Sequence, residues 1–262
     1  AFEYAATFGY TIFFHPEEPF LARDGVAHDG EVASRLGLKG IPSAAEALRI
    51  ATVLRIAQET KTKIHFCRIS TAEGVELIRE AKKSGITITA DVSIYHLHLT
   101  EHDIGYFDSN AHLKPPLRTL RDKEALCLGV KDGTIDAICS DHAPVDNDAK
   151  LLPFAEAEAG ASGLELLLPL TLKWSNNNKV ALRDAVAKIT IQSAEILGIN
   201  SGHLSVGANA DITIFDPEAA WTVTPNSLKS EGKNTPFLNM EVTGKVIYTL
   251  LNGQLTYPSK SN

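Results

Sequence analysis

Residues 133–142 read Gly-Thr-Ile-Asp-Ala-Ile-Cys-Ser-Asp-His, and the reading of the chain turns on them. Ile135 to Cys139 has the composition of a buried strand, and it stops at Ser140-Asp141-His142. A polar loop follows as far as Gly163. A carboxylate and an imidazole at the C-terminal end of a parallel strand stand where α/β enzymes keep their reacting groups. An aspartate just past an apolar strand is costly to bury unless it meets a cation, a metal or several N–H donors. Asp141 is therefore the first candidate site residue, whereas His142 points the other way on the pleat and reads as a structural hydrogen bonder.

Working outward, three more strands precede this one. Tyr10 to Phe14 is almost wholly apolar, as a strand covered on both faces should be, and it leads into His15-Pro16-Glu17-Glu18. A long loop rich in glycine and charge is expected over 20–41, and then a strong helix over 43–59 with an apolar stripe through Ala47, Ile50, Ala51, Leu54 and Ala57. Lys63 to Cys67 is a strand ending in Arg68-Ile69-Ser70. Ser70 or Thr71 caps a helix over 72–83 that Gly85 closes. Ile86 to Val92 is β-branched and extended, and a helix over 120–131 feeds the strand at 135–139. Further helical segments are expected near 163–175, 179–188 and 190–198.

Four strand–helix units in strict alternation imply a parallel sheet. An open doubly wound sheet needs no more strands, whereas a (β/α)8 barrel needs eight. No glycine-rich phosphate loop follows any strand, which weakens a nucleotide-binding reading. From Ile199 the texture changes to short strands punctuated by Gly202, Gly207, Asn209 and Pro217. The division predicted is an α/β region over 1–198 and a small β region over 199–262.

Composition excludes several classes. Of 262 residues, 44% are hydrophobic and 22% charged, as in ordinary globular chains. A net charge of −7 without a Lys/Arg run argues against a nucleic-acid surface. No apolar run reaches the ~18 residues of a membrane span. Three cysteines at unrelated spacings make no disulfide framework, and a cytoplasmic setting is expected. Cys67, Cys127 and Cys139 read as small buried residues rather than nucleophiles.

The other strand ends sharpen the picture. His15 is either a core imidazole or a metal ligand. Arg68 has the same strand-end placement as His15 and Asp141, but a guanidinium ligates no metal and stays charged. If the strand ends converge, a fixed cation lies where a metal would lie. Lys114 adds a positive group on the following loop, or is simply solvated there. His65 reads as a satisfied core or interface histidine. His96, His98, His102 and His112 cluster in sequence without a zinc-like spacing.

Taken together, these motifs resemble the dihydroorotase family. Ser140-Asp141-His142-Ala143-Pro144, Pro153-Phe154-Ala155-Glu156-Ala157 and Gly160-Ala161-Ser162-Gly163-Leu164-Glu165 are similar to its TDHAPH and PFxxAPxGxxGLE signatures. Pro115-Pro116-Leu117-Arg118 resembles NPPLR, residues 65–71 resemble HxCHxST, and His15-Pro16-Glu17-Glu18 resembles HCED. Ala210-Asp211-Ile212 and Lys233-Asn234-Thr235-Pro236-Phe237 resemble the family's tail.

The resemblance implies an amidohydrolase fold: here the C-terminal half of a (β/α)8 TIM barrel with the C-terminal strands of a small β-sandwich. It also implies that the HxH zinc motif and the bridging ligand belong to an N-terminal portion outside this sequence. Carried over by residue, His15 and Asp141 fall on metal-ligand positions, and Asp141 also on the catalytic carboxylate. Lys114, Val145 and Gly160 fall on substrate-binding positions.

Lys114 and Val145, together with Arg68, depart from the family pattern. Arg68 replaces a ligand histidine, Lys114 the asparagine of NPPLR, and Val145 the second histidine of DHAPH. The resemblance therefore implies a non-catalytic dihydroorotase-like protein of pyrimidine biosynthesis, a structural partner of aspartate carbamoyltransferase. Zinc, the family's cofactor, is expected to be absent or weakly held. The alternative is an active zinc-dependent dihydroorotase closing carbamoyl aspartate to dihydroorotate, and a third reading is an unrelated α/β binding module. Whichever holds, a half-barrel leaves unpaired edges and an uncovered interior, so a homo-oligomer, a partner chain or poor solubility is expected. The geometry also predicts that Arg68 pairs with Asp141.

Overall fold

A computed structural model describes residues 1–258. Helix α1 (Phe2–Phe8) ends on Gly9 at φ 70° and leads into strand β1 (Thr11–Phe14). The 20–41 stretch is not a loop. It holds α2 (Pro19–Ala22), β2 (Ala27–His28), α3 (Glu31–Leu36) and β3 (Gly40–Ile41), with β2 and β3 pairing in parallel. These elements are too short for periodicity to announce them. Two local signals were there to read: the Glu18 carboxylate caps α2 at the backbone N–H groups of Phe20 and Leu21, and Gly37 ends α3 at φ 66°.

The long elements follow the sequence pattern closely. They are α4 (Ala44–Thr60), β4 (Lys63–Phe66), α5 (Ala72–Lys83), β5 (Ile88–Ser93), α6 (Leu120–Asp132) and β6 (Ala137–Cys139). The Thr71 hydroxyl caps α5, and Thr119 with Asp122 forms a capping box on α6. The four main strands form one parallel sheet in the order β1-β4-β5-β6.

The two faces of that sheet differ. Ile64, Phe66, Ile88, Ala90, Val92 and Ile138 are buried. Ile50, Val53, Leu54 and Ala57 of α4 and Val75 and Ile78 of α5 are buried with them. The opposite face carries Phe13, His65, Thr89, Asp91 and Cys139, and Phe13 is 48% exposed. This corrects the reading of β1 as covered on both faces. Its run is apolar, but Phe13 on it is exposed.

The chain divides into two compact units, one of Ala1–Leu164 with Ser230–Pro236, the other of Glu165–Lys229 with Phe237–Asn262. The first also holds a short helix, α7 (Asn147–Lys150), in the loop after β6. In the second, α8 (Leu167–Asn178), α9 (Leu182–Ala187) and α10 (Ile191–Leu197) accompany an antiparallel sheet of β7 (Ile212–Thr222), β8 (Glu241–Leu251) and β9 (Gln254–Tyr257). Gly244 of β8 sits against α8, where a Cβ would lie 2.5 Å from Leu172 Cδ1. No described helix is long and apolar enough to cross a membrane.

Candidate active site at the strand ends

The C-terminal ends of β1, β4 and β6 present His15, Arg68 and Asp141. Arg68 and Asp141 are both non-glycine residues with left-handed backbone, at φ 57° and 45°. Such conformations are strained and persist only where surrounding contacts hold them. Here the Arg68 backbone N–H donates to Asp91 Oδ1 at 2.8 Å. That bond turns the chain so that Arg68 Nη1 donates to Asp141 Oδ1 at 3.1 Å and to the Lys114 carbonyl at 3.2 Å. The pairing expected from the strand-end positions is present, within charge-assisted hydrogen-bond range. The Asp141 side chain is 11% exposed and that of Arg68 35%, so the pair is only partly screened by water.

His15 lies beside it. Its Nδ1–H donates to the Cys67 carbonyl at 3.3 Å, while Nε2 is buried without a partner. Burial pushes the His15 pKa down, and the neighbouring Arg68 charge pushes it further, so the ring is neutral with a free lone pair. His96 is similar: Nε2–H donates to the Pro116 carbonyl at 3.1 Å, and Nδ1 is buried and unpartnered. Burial drives its pKa down to about 4, against the opposing pull of Asp141.

The remaining expected residues separate. Lys114 Nζ pairs with Glu17 Oε1 at 2.9 Å on the exposed rim, rather than being simply solvated. Val145 is buried, its N–H donating to Asn234 Oδ1 at 3.0 Å. Gly160 has φ 139°, and a Cβ there would sit 2.7 Å from the Ala143 carbonyl oxygen. His142 Nδ1 accepts the backbone N–H groups of Gly163 and Leu164, the structural role expected of it. His112 stacks on Phe154.

Asn234 ties this loop together. Its Oδ1 accepts from Val145 N–H and the Ser162 hydroxyl, and its Nδ2 donates to the Gly160 carbonyl at 3.0 Å. Sequence reading singled out neither Asn234 nor Asp91 as a site residue. Asp91 was within reach, because the cost of burying an aspartate at a strand end applies to it as it does to Asp141. It accepts from His65 Nε2 at 2.9 Å and from the Arg68 N–H. His65 is thus satisfied, as expected. Burial pushes the thiol of Cys67 up to about 11 and that of Cys139 well above its usual range, so neither is a ready nucleophile.

The pattern of the amidohydrolase family matches residues 33–256. This chain belongs to the amidohydrolase family. The amidohydrolase chain is 41% identical over 257 residues to a dihydroorotase-like protein of Pseudomonas putida and 40% identical to a dihydroorotase of Geotalea daltonii. Each alignment covers 98% of this chain and 60% of the relative, so the chain spans about 60% of the length of the curated relatives it matches.

Among solved structures it resembles a dihydropyrimidinase from Brevibacillus agri, with TM-score 0.87, 21% identity, 99% of this chain and 59% of that one covered. It also resembles an L-hydantoinase from Arthrobacter aurescens, with TM-score 0.85, 26% identity, 97% and 58% covered. The fold is the amidohydrolase TIM barrel with its β-sandwich, of which this chain supplies four parallel barrel strands.

Family membership implies a strand-end metal, and the residues here fit it poorly. The His15 Nε2 lone pair suits a ligand. The Asp141 carboxylate, however, is already engaged by a guanidinium that stands among the would-be ligands and repels a cation. The free His15 nitrogen therefore stands beside a fixed positive charge, and no chemical step through a metal is assigned to the pocket.

Proposed function

We propose that this chain is the C-terminal portion of a dihydroorotase-like protein of pyrimidine biosynthesis that does not turn over dihydroorotate. In this reading it serves as a structural partner of aspartate carbamoyltransferase. One observation carries it: the 3.1 Å pair of Arg68 and Asp141. General-base work needs a carboxylate free to take a proton at the reacting atom. Here one oxygen is held by a fixed cation, which stands where the resemblance puts a ligand histidine. Resemblance to a relative named dihydroorotase-like supports the reading. Lys114, spent on Glu17, and apolar Val145 support the loss of substrate contacts as well.

The test is assembly. Full-length protein mixed with aspartate carbamoyltransferase and sedimented is expected to migrate as one complex, which Asp141→Asn leaves intact because the carboxylate is not the interface. Independent sedimentation of the two proteins would remove the partnership. A second reading, an active zinc-dependent dihydroorotase, is favoured by the buried, unpartnered Nε2 of His15, the feature that a bound metal would explain.

A further inference from the structure

The Phe13 face of the parallel sheet carries a second cluster, one layer below the strand ends. Register builds it. His65 of β4 stands beside Thr89 of β5, and Cys67 and Asp91 lie two residues further along each chain. Side chains two apart on a strand share a face. His65, Cys67 and Asp91 accordingly place one ligand atom each within 4.8 Å of one another.

The surroundings orient these atoms. His65 Nδ1 lies 2.8 Å from Thr89 Oγ1, and Nε2 lies 2.9 Å from Asp91 Oδ2. Asp91 Oδ1 is held by the Arg68 N–H at 2.8 Å and by the Cys139 thiol at 3.3 Å. Ligating histidines and carboxylates are typically fixed this way by groups behind them. Cys67 and Asp91 are half-buried, so a cation can reach them.

We propose that His65, Cys67 and Asp91 form a binding site for a thiophilic divalent cation of the zinc type, with its fourth position open. One nitrogen, one sulfur and one oxygen suit zinc, whereas calcium and magnesium prefer oxygen alone. Without metal, His65 Nε2–H donates to Asp91 Oδ2. On binding, that proton leaves Nε2 and the imidazole carries it on Nδ1, where the Thr89 hydroxyl accepts it. The Cys67 thiol releases one proton to solvent, and the thiolate, Nε2 and Oδ2 bind the cation. The site shares no ligand with the pocket of His15 and Asp141. It stands whether or not the proposed function holds.

The test uses the full-length protein titrated with Co2+ or Cd2+ under a non-thiol reductant, read by thiolate-to-metal charge-transfer absorption. A band saturating at about one equivalent is expected in the wild type and in His15→Ala. It should vanish in Cys67→Ser, and Asp91→Asn should weaken the affinity at least about tenfold. Cys139→Ser should keep the band, since that thiol only orients Asp91. No band in the wild type, or one that survives Cys67→Ser, overturns the proposal. If Cys67→Ser no longer melts cooperatively, Thr89→Val decides. Its midpoint should rise, because the Nδ1 proton loses its acceptor, and an unchanged midpoint overturns the site.

Discussion

At the scale of single residues, Arg68 explains most about the pocket. Its backbone is turned by Asp91 and its guanidinium takes up Asp141, so one residue links two strand ends. Sequence gave both its placement and its charge, because parallel strands end on the same side of a sheet. It could not give the Lys114–Glu17 pair, since the two residues are far apart in sequence and only folding brings them together.

His96 supports a pH argument. In the folded chain its pKa is about 4, pushed down chiefly by burial, against about 6.5 when unfolded. Between those values the unfolded chain binds the extra proton, so stability rises with pH across that window. The stabilising effect is complete above about pH 6.5, and it is lost as pH falls toward 4. That loss is on the order of 3 kcal/mol for this group. His15, His28 and His112, also pushed down by burial, act in the same direction. Urea midpoints measured from pH 7 to pH 4 should fall steadily. In His96→Gln the slope should be shallower, and equal slopes would show that His96 does not carry the effect.

At the scale of elements, the junctions between strand and helix are held by buried polar groups. Glu46 of α4 accepts from the N–H and hydroxyl of Ser70 and from those of Thr71, at 2.6–2.9 Å. Buried Arg118 donates to the same Ser70 hydroxyl and to the Ile41 carbonyl. Removing one partner of such a network leaves buried donors and charge unpaired. Glu46→Ala should therefore cost about 3–5 kcal/mol by chemical denaturation. Glu59→Ala, which breaks only an exposed pair with Arg55, should cost less than about 0.5 kcal/mol. Equal costs would mean that the network is not what joins α4 to the end of β4.

Gly160 belongs to the same scale. Its positive φ and the 2.7 Å approach to the Ala143 carbonyl demand glycine whatever the pocket binds. Gly160→Ala should cost about 1–3 kcal/mol, and a neutral result would return the residue to a purely ligand-directed role. The long elements were legible because periodicity and caps agreed over many residues, as in α5 with Thr71. The pieces between Pro19 and Ile41 were not, because their stability comes from neighbours rather than from their own pattern.

At the scale of the whole molecule, the parallel sheet has β1 and β6 as its edges, and Phe13 of β1 is exposed. Strand edges and exposed aromatics of this kind are surfaces that another segment or chain covers. Four alternating units sufficed to anticipate a parallel sheet, because right-handed crossovers leave few other arrangements, whereas the choice of the barrel over an open sheet rested on the family resemblance.

In the proposed reading, the guanidinium at Asp141 marks a site without turnover. Its most direct measurement is the rate of dihydroorotate hydrolysis by the full-length protein, with and without added zinc. The expected result is no rate above buffer in either condition, in wild type and Asp141→Asn alike. A rate above buffer in the wild type that Asp141→Asn abolishes would contradict the account, because Asp141 would then be working despite its partner.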